Sequence, residues 1–101
     1  MKQLKGTEKQ IAWAESIREE SINTCDKNIE LAKERIEKYP GVASYERDLK
    51  AYEEIKSQVV SVFDKIEDAA YIIDNRKSLD SNRIVYLANQ LILKMEREER
   101  A

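Results

Sequence analysis

The chain of 101 residues carries 18 Lys and Arg against 20 Asp and Glu, a net charge of −2. That length allows one domain with one modest core, and the balanced charge announces neither a nucleic-acid binder nor an acidic mimic of one. Histidine is absent, which excludes Ser-His-Asp triads, His-paired cysteine nucleophiles and imidazole metal sites.

Charged residues make up 38% and apolar ones 42%, with only two Gly and one Pro. This is the composition of long helices, and it predicts an all-α fold. Thr7 and Gln10 fit a capping box, so a first helix is expected over about 7–38. Along it Ile11, Ala14, Ile17, Ile22, Cys25, Ile29, Ala32 and Ile36 recur at mostly three- and four-residue steps, the pattern of one buried face. The frame slips between Ile17 and Ile22, and Ser21, Asn23, Thr24 and Asp26 are weak helix formers, so a break near 21–24 is an alternative to a continuous helix. Pro40-Gly41 closes the segment.

A second helix is expected over about 44–75, where Tyr45, Leu49, Tyr52, Val59, Phe63, Ile66, Ala70 and Ile73 follow a heptad alternation. A shorter third helix is expected over about 81–99, capped by Asp80 or Ser81, with Ile84, Leu87, Ala88, Leu91 and Met95 on its inner face. Val85, Tyr86, Ile92 and Leu93 fall elsewhere on it, so its middle is apolar over more than one face.

The two long segments predict an antiparallel hairpin that brings the opening residues level with Tyr71 to Arg76. A third helix starting at that open end would leave Ile36, Tyr39, Tyr45, Leu49 and Tyr52 uncovered near the turn. A symmetric homodimer, giving a dimeric helical bundle, covers such a patch most simply. Folding back at a break near Ser21 would cover it internally.

Two stretches, GTEKQIAWAESIR from Gly6 to Arg18 and YIIDNR from Tyr71 to Arg76, resemble a pattern of small helical proteins and domains encoded by phages and other mobile elements of Gram-positive bacteria. Here Ile72 and Ile73 occupy the region where that pattern usually has a Trp. The resemblance implies an origin, and from that origin a host-directed role, such as an anti-CRISPR-like inhibitor of a defence nuclease.

The candidate partner-binding residues follow from side-chain chemistry. Asp64, Glu67 and Asp68 place three carboxylates within about a helical turn, with Tyr71 beside them; such a face imitates phosphates or is simply solvated. Trp13 is either packing or a hot spot for a partner. Arg18 and Arg76 offer planar forks for carboxylates or phosphates, and Arg76 also suits a helix C-terminus.

The expected partner is therefore a host protein, engaged by a non-enzymatic chain without metal or cofactor. The alternative is a DNA-associated accessory or structural protein using Lys2, Lys5 and Lys9 on phosphates. Cys25, on the apolar stripe, is expected to be a small buried hydrophobe. No signal-peptide core and no membrane-length apolar run occurs, so a cytoplasmic protein without membrane association is expected.

Overall fold

The computed structural model describes residues 2–100 and is all-helical among them. Its elements are α1 (Glu8–Lys38), α2 (Ala43–Lys65), α3 (Ala69–Asp74), a single 3-10 turn (Arg76–Ser78) and α4 (Ser81–Arg100).

The capping box forms as expected: the Gln10 N–H donates to Thr7 Oγ1 at 3.2 Å and the Thr7 N–H to Gln10 Oε1 at 3.1 Å. From there α1 runs without a break, so the interruption near 21–24 does not occur. Its buried residues are Ala14, Ile17, Ser21, Cys25 and Ala32, one helical stripe in which Ser21 takes an apolar residue's place. The apparent slip was a polar residue in the core.

Ser21 and its neighbours bind the start of α4. The buried Ser21 hydroxyl faces the carbonyls of Ile17 and Leu79. Thr24 Oγ1 donates to the Glu20 carbonyl at 2.8 Å and stands 2.8 Å from Ser81 Oγ. Bonds to the carbonyl four residues back satisfy these hydroxyls within the helix.

Helix α1 leaves through Pro40 and Gly41, whose φ of +85° is a conformation open chiefly to glycine. Helices α1 and α2 then pack together: the Arg35 guanidinium lies 5.7 Å from the Tyr45 ring centre and Lys56 Nζ 2.6 Å from Asp26 Oδ1.

The second helix does not continue to residue 75 but ends at Lys65, with Ile66 and Asp68 extended. The N-terminal segment fills the break. The Lys5 N–H donates to the Glu67 carbonyl at 2.7 Å, and the Ala69 N–H donates back to the Lys5 carbonyl at 3.0 Å. Leu4 is thereby buried in the core. Asp68 Oδ1 accepts from the Ala70 N–H at 3.0 Å and restarts the helix as α3.

Because α3 and the 3-10 turn occupy this end, α4 starts beside Ser21 and Thr24 instead. Asp80 is its cap, accepting from the Arg83 N–H at 2.8 Å. Ile84 and Ala88 are buried and Leu87, Leu91 and Met95 partly so, the expected inner face. Arg47 Nη1 meets Glu99 Oε2 at 2.8 Å, so the last turns of α4 reach the first turns of α2. The end near the turn is thus not bare, and Tyr52, expected at an oligomer interface, belongs to the core at 7% exposure. Phe63, Ile72 and Ile84, the largest fully buried apolar side chains, come from α2, α3 and α4.

Candidate protein-docking site

The α2–α3 break shapes the surface around it. Where the chain leaves helical geometry, Val62 and Lys65 on α2, Ile66, Glu67 and Asp68 in the break, and Tyr71 on α3 enclose an open groove of about 420 Å³. Val62 is 45% and Tyr71 55% exposed, so the groove carries two large, half-wet apolar side chains. Surfaces of this kind gain from covering by an apolar partner group.

The structure brings Glu67, Asp68 and Tyr71 together at this groove. Its carboxylates are engaged: Glu67 lies 3.6 Å from Lys2 Nζ and 3.5 Å from Lys5 Nζ, and Asp68 caps α3. Asp64 sits exposed on the last turns of α2. A uniformly negative face is therefore replaced by a mixed one, and two of the three lysines assigned to phosphate binding are occupied by Glu67.

Trp13 and Arg76 meet as a clasp between α1 and the end of α3. Arg76 lies 5.2 Å from the Trp13 ring centre and its Nη1 donates to the Ile73 carbonyl at 2.8 Å, so it serves both helices. Trp13 remains 49% exposed. Arg18 is more enclosed, with its Nη1 shut from solvent and lacking a hydrogen-bond partner among the described residues.

At the turn, Tyr39 is half-exposed, with Lys38 5.6 Å from its ring centre and the Tyr45 ring 6.3 Å away. Ile36, Tyr45 and Leu49 are partly buried. Cys25 is fully buried, and burial pushes its thiol up from the ordinary range, with the neighbouring Asp26 charge adding to the effect. Burial raises the Tyr52 phenol likewise, with Asp48 and Cys25 adding to it.

The heptad pattern places Val62, Lys65 and Ile66 on one straight helix and so gives no sign that they line a groove. The available signal was Asp68 before two alanines, a cap ahead of good helix formers. Among the described residues no group of three His, Cys, Asp or Glu is placed to hold a metal ion, and no helix is long and apolar enough to cross a membrane.

Comparison with protein-family models, curated proteins and solved structures returns no match for this chain.

Proposed function

We propose that this chain is a non-enzymatic, protein-binding regulator that engages a host protein through the groove at the α2–α3 break. The observation that carries the reading is that half-exposed Val62 and Tyr71 both line one open groove. A partner side chain entering there is desolvated against apolar surface, while Lys65, Glu67 and Asp68 line the same groove with polar groups. The likeness of GTEKQIAWAESIR and YIIDNR to mobile-element proteins extends the proposal to its biological form, a phage-borne inhibitor of a host defence nuclease acting in the host cytoplasm.

The proposal takes α1 and α2 as an antiparallel hairpin. Residue 26 meets 56 and residue 35 meets 45, so positions advance along one helix as they recede along the other, which supports that arrangement. In this scaffold the Trp13–Arg76 clasp closes the end that carries the groove.

The test is affinity capture from bacterial lysate with nuclease-treated and untreated samples in parallel. A protein retained in both, and lost when Val62→Lys or Tyr71→Lys is the bait, supports docking at the groove. Capture abolished by nuclease returns the DNA-associated alternative to first place.

A further inference from the structure

The outer face of α4 presents a second surface, separate from the groove residues. Only Ile84 and Ala88 of this helix are buried, while Val85 is 37%, Tyr86 51% and Leu93 50% exposed. The molecule is only 20 Å across its thinnest dimension, about two helix diameters, so no second layer covers that face. A helix that is apolar on opposite sides gains from burial on both.

The order of residues on this face indicates what covers it. At helical spacing Asn89 stands at its centre; three and four residues before it come Tyr86 and Val85, and three and four after it come Ile92 and Leu93. Seven residues out on either side stand Asn82 and Glu96. The pattern of apolar pair, amide, apolar pair therefore reads the same in both directions. An unrelated partner does not require that property, whereas a two-fold contact between identical helices does, because each position must face its own symmetry mate or an equivalent one.

We propose that two copies of this chain associate through an antiparallel pairing of α4 with α4, its two-fold axis passing at Asn89. Val85 and Tyr86 then pack against Leu93 and Ile92 of the second copy. The two Asn89 amides meet on the axis, where a polar pair fixes register at some cost in stability. At each end Asn82 comes level with Glu96 of the second copy, a carboxylate that already lies 3.9 Å from Arg47 and 3.8 Å from Arg100 of its own chain, so the ends are polar and the apolar pairs carry the contact. Arg83 already lies 5.1 Å from the Tyr86 ring centre, at the edge of this face. The homodimer expected at the turn is thereby relocated to α4, and this assignment stands independently of the groove.

The test uses the full chain at concentrations from about 10 μM to about 1 mM, a range that brackets a weak two-fold contact. Sedimentation equilibrium should show mass rising toward the dimer, and Leu93→Lys should weaken association about tenfold or more with an unchanged circular dichroism spectrum. Tyr39→Lys, at the turn, should leave association intact. Asn89→Cys should cross-link to itself on oxidation, since the axial position faces its own copy, while the buried Cys25 stays reduced. Val85→Cys should cross-link with Leu93→Cys in a mixture and poorly with itself. A wild-type mass that stays monomeric throughout the range, or a Val85→Cys variant that cross-links mainly to itself, overturns the proposal.

Discussion

At the residue scale, the most informative position is Ser21. A serine with no exposed surface amid an apolar stripe is retained because its hydroxyl answers the carbonyl of Leu79, which enters from the loop before α4. Replacing it with alanine leaves that carbonyl short of a donor. Ser21→Ala is expected to cost about 1–2 kcal/mol, measured by urea denaturation. The same residue explains why the continuity of α1 was hidden: a periodicity that counts apolar side chains skips a buried polar one.

Cys25 and Tyr52, also at this scale, set the alkaline behaviour. Burial raises both groups in the folded protein above their ordinary values. Between the ordinary and raised values the unfolded chain has lost its proton while the folded chain keeps it, so stability falls as pH rises. The stabilising contribution is complete below the ordinary thiol value of about 8.5 and declines above it, with the phenol extending the decline from about 10. Denaturation midpoints measured from pH 7 to the alkaline range should follow that slope, and Cys25→Ala should remove its earlier part.

At the element scale, the α2–α3 break is the feature that organises the fold. Its exposed backbone groups are satisfied by Lys5, and the approach is close enough that Gly6 is required: φ is +154° and an added Cβ would lie 2.9 Å from Gln10 Oε1 and 3.2 Å from Ala69 Cβ. Gly6→Ala should therefore destabilise the protein by roughly 1–3 kcal/mol, seen as a lowered thermal midpoint. The helical composition, the Thr7–Gln10 box, the exit at Pro40-Gly41 and the inner face of α4 were all readable, because each is a local signal of a few residues. The break was not, because Val59 and Phe63 before it and Ala69 and Ile73 after it bury into the same core and so sustain an apolar rhythm. A single backbone bridge to a distant residue leaves no periodic trace. The groove forms at that bridge and is equally hidden, although the carboxylate spacing of Glu67 and Asp68 and the adjacent Tyr71 mark part of its lining in the sequence.

At the scale of the whole molecule, the position of α4 against α1 and α2 decides which surfaces are available. The end near the turn gains the Arg47 contacts with Glu96 and Glu99, while half-exposed apolar groups collect at the α2–α3 break and on the outside of α4. The net charge is −2, and Lys2 and Lys5 stand 3.6 and 3.5 Å from Glu67, so a phosphate approaching them competes with an existing ion pair. Short-range apolar contact is what these surfaces supply best. Once a captured protein is identified, docking at the groove is measured by titrating that protein in calorimetry with wild-type chain, Val62→Lys and Tyr71→Lys. Docking at the groove gives binding by the wild type, at least about tenfold weaker binding by each variant, and little dependence on salt. Equal affinities for all three chains, or binding that disappears steeply with added salt, would contradict it.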